Sequence, residues 1–418
     1  MPHRRWRLLC GPVAALLAAG CTSTEAGNAH SALRQRTQPV PRTSPTARSS
    51  ASAPAPAPSP SGLPPAPAPV AGAIVESHRL GSVLVSSQSV SPGAVNSCIP
   101  QGPYPTPASV DAVVFDAGPS AFVDAGYDGG WFNCFHTASN RLSGIIGLME
   151  AHDDARALPL ITRIAFTELA TDVTPVTLHG LPDATVVRFV SGGEETVAGF
   201  VPHGRVISYG WVGANHVGAG QLGAVVALLT GILTAQKPRS ATFEPTAPSE
   251  IGMLDDDPDQ LAAKTYHPPG PSTAYQGGYP ASYYPAMAWD PVAETPLLTS
   301  GGFTEMYRTE TEASRGALRG VSLYRFRDAG GAAAYYRGVV PIIRRVEGSH
   351  LTIVSLPGAK NTTCYAVTFS AGNVINQECI FPAGRYVVVA DAFGLERSAS
   401  DFTAMHPIIA AQLSKTPR

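Results

Sequence analysis

Side chains able to do chemistry gather in four places. Glu150, His152, Asp153 and Asp154 form the densest group that could ligate a metal, because carboxylate oxygens and an imidazole nitrogen this close together can converge on one ion. Their setting gives a plainer account. A strand-like run, Gly144 to Ala151, ends there, and an apolar helical pattern, Leu158 to Phe166, follows, so Asp153-Asp154 stands where a helix N-cap accepts backbone N–H groups. Asp255, Asp257 and Asp259 alternate as in a calcium loop, yet Pro258 and Gln260 occupy the place that needs Gly, and Tyr266 stands where a bidentate Glu would close the shell. His203 falls at a turn and His216 before a helix, and neither is set beside a Ser or Cys nucleophile. There is no Gly-x-Ser-x-Gly elbow, P-loop or His-Glu-x-x-His. The sequence therefore predicts no metal, no cofactor and no catalytic residue, and it leans away from an enzyme. An envelope hydrolase of unrecognised type, using His152, His203 or acids facing a cleft, is the alternative.

The fourth group is aromatic. Tyr275, Tyr279, Tyr283, Tyr284 and Trp289 lie in a Gly- and Pro-rich stretch. Such rings offer rigid amphipathic area that stacks on sugars or packs on a partner, which makes them the candidate ligand-binding residues; filling a groove inside the protein is the competing use.

The start of the chain supplies an address. Basic residues His3, Arg4, Arg5 and Arg7 precede an apolar run from Leu8 to Ala19, too short for a spanning helix. Leu17-Ala18-Ala19-Gly20-Cys21 resembles a bacterial lipobox, which makes Cys21 the expected site of lipidation and residues 1–20 a lipoprotein signal peptide. Arg4-Arg5 resembles a twin-arginine signal, but Arg7 occupies a position that should be apolar, so the general secretory route is expected. Acyl chains contribute roughly 0.8 kcal/mol per buried methylene, and two or three of them hold a protein on a membrane. The expected location is extracytoplasmic, on the cell membrane. With 29 basic and 31 acidic residues the chain is near neutrality and has no long basic run, so nucleic acid is not an expected partner.

Residues 21–72 read as a disordered tether rich in Pro, Ala and Ser, with too little apolar area to fold. The prolines between Ala53 and Pro69 favour polyproline II, spanning roughly 50 Å at about 3.1 Å per residue. Arg34, Arg36, Arg42 and Arg48, against the single acid Glu25, could add attraction to anionic headgroups of about 1 kcal/mol per basic residue near the surface.

Beyond the tether two stretches follow one plan. Asp153 and Asp328 each end a strand-like run and precede a helical one, 175 positions apart, and Leu181-Pro182 matches Leu356-Pro357 at the same spacing. Glu150, His152, Asp153 and Asp154 then correspond to Arg325, Arg327, Asp328 and Ala329. Pro202-His203-Gly204-Arg205 matches Pro382-Ala383-Gly384-Arg385, and Phe189 matches Phe369, at a spacing of 180. Each Gly-Arg is followed by a strand, and each half closes with an amphipathic helix, carrying Leu222 to Leu233 in one and Phe402 to Leu413 in the other. The expected fold class is α+β: two related copies of an antiparallel sheet covered by helices on one face, a first domain at 73–242, a connector at 243–300 and a second domain at 301–418.

Cys10 leaves with the signal peptide and Cys21 is used for lipid, so Cys98, Cys134, Cys364 and Cys379 remain for two disulfides outside the cytoplasm. A hairpin turning at Ala371-Gly372 sets Cys364 opposite Cys379. The first copy has Ala184 and Gly199 at the corresponding spacing, and Cys98 pairs with Cys134 by elimination.

Three short runs carry a family resemblance: Phe243-Glu244-Pro245-Thr246, the Asp257-Pro258-Asp259 stretch with Leu261 and Thr265, and Tyr324-Arg325-Phe326-Arg327-Asp328-Ala329-Gly330-Gly331-Ala332. In these the chain from about residue 105 onward resembles uncharacterised actinobacterial lipoproteins, mycobacterial and nocardial, with two similar halves. The resemblance implies an envelope location and brings no activity with it. The long Pro-rich tether and the Tyr-rich connector depart from the family pattern. The functional expectation is a membrane-anchored binding or interaction module of the cell envelope, holding an unknown ligand or partner at the cleft between the copies. A structural wall spacer is a further alternative.

Overall fold

A computed structural model describes residues 71–416 apart from 112, 115–118, 140, 169–172, 192–193, 215–220, 274, 285–286, 289, 314–316, 348–351, 355–360, 370–373 and 395–400. The expected lipidation site Cys21, the expected tether up to residue 70, His216 and Trp289 lie outside the described residues. Among the described residues no helix is long and apolar enough to cross a membrane.

The strands form two antiparallel sheets of seven. The first holds β1 (Val95–Pro103), β2 (Gly129–His136), β3 (Leu142–Glu150), β4 (Thr174–Pro175), β5 (Thr185–Ser191), β6 (Glu194–His203) and β7 (Val206–Ala214), in the order β1-β2-β3-β7-β6-β5-β4. The second holds β8 (Gly277–Pro280), β9 (Phe303–Glu312), β10 (Leu318–Phe326), β11 (Thr352–Val354), β12 (Thr363–Phe369), β13 (Val374–Ala383) and β14 (Tyr386–Phe393). Read from its other edge, its order is β8-β9-β10-β14-β13-β12-β11, which repeats the first sheet strand for strand. Six main helices accompany them: α1 (Ala71–Ser82), α2 (Asp154–Arg163), α3 (Leu222–Ser240), α4 (Pro291–Gly301), α5 (Ala329–Glu347) and α6 (Met405–Lys415).

The duplication extends to register. Glu150 faces Val206 across β3–β7 and Arg325 faces Tyr386 across β10–β14. Both Gly-Arg turns reverse the chain at a glycine in the left-handed region, Gly204 at φ 57° and Gly384 at φ 58°, where a β-carbon would be strained. Asp153 accepts the Arg156 N–H at 3.0 Å and Asp328 accepts the Gly331 N–H at 2.8 Å, capping α2 and α5 as expected. The copies also share a side-chain clamp. Gln236 of α3 accepts from Val85 N at 2.8 Å and donates to Val83 O at 3.0 Å and to Ser240 Oγ at 3.2 Å. Gln412 of α6 accepts from Tyr266 N at 2.6 Å and donates to Lys264 O at 2.9 Å and to Thr416 Oγ1 at 2.6 Å. Both glutamines are fully buried.

Helices cover both faces of each sheet, and not one face as the sequence suggested. β7 is buried at eight of its nine positions, Trp211 being the exception, and its side chains alternate between two cores. Val206 and Val212 pack with Leu229 and Leu233 of α3, while Ile207 and Tyr209 pack with Leu160 and Ile161 of α2. In the second half Val387 joins Tyr335 and Val339 of α5, and Val388 joins Met405 and Ile409 of α6 on the opposite face. One core runs through both halves. It contains the α3 face of the first sheet and the α5 face of the second, which are not equivalent faces of the repeat. The halves are thus joined head to tail, a heterologous contact in the language of oligomers.

Two assignments along the chain change. The 243–300 connector supplies β8 and α4, both part of the second half. The counterpart of Cys364 is Val186, not Ala184, because the β5–β6 hairpin pairs Val186 with Gly199 where β12–β13 pairs Cys364 with Cys379. A shift of two residues keeps every side chain on its face, so the repeat tolerates it. Cys364 and Cys379 are disulfide-bonded, with Cα atoms 4.0 Å apart, and both are fully buried in the core beneath α6. In the first half the β1–β2 register sets Cys98 opposite Cys134, and Cys134 is engaged in a disulfide.

Replacing Gln236 or Gln412 by Ala leaves a buried N–H and a buried carbonyl unpaired in either half, each costing about 1–3 kcal/mol. Urea unfolding of Gln412→Ala should show a loss of that order. An unchanged midpoint would mean the clamp contributes no stability.

Candidate functional site

The strand-to-helix junction after β3 and its repeat after β10 are one structure with opposite chemistry. In each, the residue after the positive-φ glycine is an arginine whose carbonyl accepts an N–H at the end of the strand, one residue past Glu150 or Arg325: Ala151 N to Arg205 O and Phe326 N to Arg385 O, both at 2.9 Å. Register then makes Glu150 equivalent to Arg325, and the sequence correspondence makes His152 equivalent to Arg327. Gly129 faces Glu150 as Glu305 faces Arg325, which places Thr304 at the position of Asp128.

In the first half the junction is filled and neutralised from within. The Arg205 guanidinium pairs with Glu150 and with Asp128, 3.2 Å away, and donates to the carbonyls of His152, at 3.1 Å, and Thr246. Glu76 of α1 accepts from Thr246 N at 2.9 Å and Thr246 Oγ1 at 2.7 Å, and Arg79 donates to Glu76 at 2.6 Å and to Glu244 O at 2.9 Å. Arg79 also lies over the Phe243 ring, 5.3 Å from its centroid. The Phe243-Glu244-Pro245-Thr246 motif is thus the fastening of α1 to the chain that leaves α3. Burial, with Glu76 nearby, pushes Glu150 up to about 8 against the pull of Arg205. Burial likewise raises Asp128, opposed by Arg205 and His152.

In the second half the same junction is an open depression of about 510 Å³. It is lined by Arg325, Arg327 and Arg385 with Thr304 and the backbone around Gly302, Phe303 and Phe326. Arg327 and Arg385 are exposed. Arg325 donates to Thr304 Oγ1 at 2.9 Å and pairs with Asp259 at 2.7 Å and Glu305 at 3.1 Å. Arg327 lies 3.3 Å from Asp328. Arg385 stacks on Tyr386, its guanidinium carbon 5.5 Å from the ring centroid, and Lys264 sits over the same ring at 6.0 Å. Burial raises the Tyr386 phenol, but hydrogen bonds from Arg385 and Lys264 outweigh it and leave the group below its usual value. Among the described residues no carboxylate pairs with Arg385, whereas its twin Arg205 has two.

The acids of the calcium-like run are used by the protein itself. Asp255 accepts from Asp257 N, Asp257 caps the turn at Leu261 and Ala262, and Asp259 pairs with Arg325. Among the described residues no group of three or more His, Cys, Asp or Glu is placed to hold a metal. His152 lies 3.6 Å from Asp128, and His203 is exposed at the β6–β7 turn.

The aromatic candidates lie at the seam and in the core. Tyr279 is fully buried, its ring 3.9 Å from His78 of α1 and 6.3 Å from Trp131, with its hydroxyl donating to Tyr275 O at 2.8 Å. Tyr284 is buried against Phe303 and Tyr324 and donates to Glu294 at 3.2 Å. Tyr275 lies against Gly102 of β1, and Tyr283, half-buried, feels the charges of Arg79 and Glu76. The cleft expected between the copies is thus packed where Tyr279 and Tyr284 sit, and the open, charged depression belongs to the second half. The signal that could have found it was in the sequence alignment of the halves: Glu150 and His152 against Arg325 and Arg327, with an arginine kept at 205 and 385.

Because Glu150 is raised in the folded state, its contribution to stability is full below the ordinary carboxylate value and is lost as pH rises toward about 8. Glu150→Gln should flatten the decline of unfolding free energy between about pH 4.5 and pH 8. A variant with the wild-type pH profile would show that Glu150 is not the group responsible.

Residues 63–256 match a family model described as the N-terminal part of a domain of unknown function, DUF7373. No curated protein matches the chain. Among solved structures, the extracellular domain of PknH from Mycobacterium tuberculosis is similar at 12% identity and a TM-score of 0.25, over 38% of this chain and 96% of that one. A likeness that slight carries no argument. The described body has the α+β architecture of two repeated, helix-covered antiparallel sheets, and the family match falls on the first of them.

Proposed function

We propose that this chain is a binding module held outside the cytoplasm by a lipid on Cys21, and that it contacts its ligand at the arginine-lined depression of the second half. The ligand presents an anionic group. The supporting observation is the charge reversal between the copies. In the first, the carboxyl groups of Glu150 and Asp128 stand against Arg205 and occupy it from within. In the second, those positions are Arg325 and Thr304, and the depression stays open beside Arg385. Guanidinium groups are planar forks suited to carboxylate, sulfate and phosphate oxygens, and three of them from separate elements define a site for one such group.

Titration with sulfate at constant ionic strength, the balance made up with chloride, should raise the melting temperature saturably as a bound ligand does. Arg385→Ala should weaken that binding by about tenfold or more, since a charge-assisted hydrogen bond contributes about 1.5–3 kcal/mol. A shift that does not saturate, or that Arg385→Ala leaves intact, overturns the assignment. The anchor is tested separately. Cys21→Ala should move the protein from the membrane to the soluble fraction, and continued partition with membranes after detergent-free extraction would remove the lipid from the account.

A further inference from the structure

We propose that anion binding at the depression is coupled to uptake of a proton by the carboxyl pair Asp259–Glu305 behind Arg325; this rests on the anion reading above.

The geometry puts one guanidinium between two uses. Arg325 Nη2 lies 2.7 Å from Asp259 Oδ2 and 3.1 Å from Glu305 Oε1, while the same side chain lines the depression. Both carboxyls thus crowd one guanidinium nitrogen, and two like charges so close favour a proton on one of them. Glu305 is the buried partner and Asp259 the exposed one, so the proton rests on Glu305. The groups facing Glu305 are Arg325 from β10 and Asp257 and Asp259 from the segment before Leu261. Arg385, Tyr386 and Lys264 complete the charged rim. Burial first, then the neighbouring Asp259 carboxyl, raises Glu305 to about 8, with Arg325 opposing.

Charge balance follows. With Glu305 neutral, the three guanidiniums that line the depression face two paired carboxylates, Asp259 and Asp328, and keep positive charge for a ligand. When Glu305 loses its proton it competes with the ligand for Arg325 and removes one unit of attraction. By linkage the bound anion must in turn hold the proton on Glu305 more tightly. The proton comes from solvent and no covalent bond of the ligand changes. The sheet explains why the first half lacks this device: the position of Glu305 is Gly129 there, packed against Ser77 of α1.

The test is calorimetry on the full-length protein in detergent, with sulfate as a probe that stays dianionic throughout, run at pH 6 and pH 9 in buffers of differing ionisation enthalpy. Expected are binding at pH 6, about tenfold weaker binding at pH 9, and proton uptake on binding near pH 8; tenfold corresponds to one unit of coupling. Glu305→Gln, which fixes the neutral form, should bind at pH 9 as at pH 6 with no proton uptake, and Asp259→Asn should also diminish the uptake. Inorganic phosphate and glycerol 3-phosphate, as free and lipid-headgroup sources, should both compete with sulfate, and the tighter of the two identifies the source. If sulfate binds and Arg385→Ala abolishes it, but without proton uptake or pH dependence, the coupling is wrong and the anion site stands. If no anion binds at any pH, both readings fall together.

Discussion

Each half of this protein is closed by a single buried glutamine. The last helix of the repeat lies on its sheet through apolar side chains, and apolar contact alone leaves a helix free to slide or rotate at small cost. Gln236 and Gln412 remove that freedom by gripping the backbone of the segment that enters the half, accepting from one N–H and donating to a carbonyl two residues earlier. The beginning and end of each half, far apart along the chain, become neighbours in a fixed register. The sheet between them, the Gly-Arg turn at its rim and the junction beside that turn inherit their positions from this closure.

Upon one frame the copies have diverged in what they bury. Arg308 donates to Asp391 at 2.9 Å and to Ser322 at 3.0 Å and also pairs with Glu310; Tyr365 donates to Glu378 at 2.5 Å. Burial and the neighbouring Asp391 raise Glu378 to about 7. The equivalent positions in the first half are Phe132, Trp211, Gly147, Cys134, Val187 and Ala198, within or beside an apolar core. Ionic networks in such places stabilise less than apolar packing does. The first half thus has the more conventional interior and a sealed junction, and the second has the charged interior and the open one. A duplicated frame lets one copy carry stability while the other departs from it.

The repeated landmarks were legible in the sequence because each rests on local physics: Asp153 and Asp328 cap helices, Gly204 and Gly384 take a backbone conformation that suits glycine, and Cys364 falls opposite Cys379 from hairpin arithmetic. The edge strands β1 and β8 were not legible, since Val95–Pro103 and Gly277–Pro280 are short on β-branched residues and rich in Gly and Pro. Covering of both sheet faces was missed because a strand such as Val206–Ala214, buried on both sides, loses the alternation that would mark one face as wet. The arginines of the depression escaped for another reason. Each alone is an ordinary surface residue, and only their convergence from β10, the junction and the β13–β14 turn makes a site. The aromatic stretch misled in the opposite direction, because Tyr279 and Tyr284 are as suited to a core as to a ligand.

The place of α1 has a mechanical consequence. The helix begins at Ala71, packs along Trp131 of the first sheet and His78 touches Tyr279 of the second, while Glu76 and Arg79 are fastened to Thr246 and Glu244. A pull arriving at Ala71 therefore loads both halves together, in shear across several short polar bonds, and does not peel a strand from an exposed edge. Were the proposed anchor in place, tension from it would reach this seam before it reached the strands of either sheet.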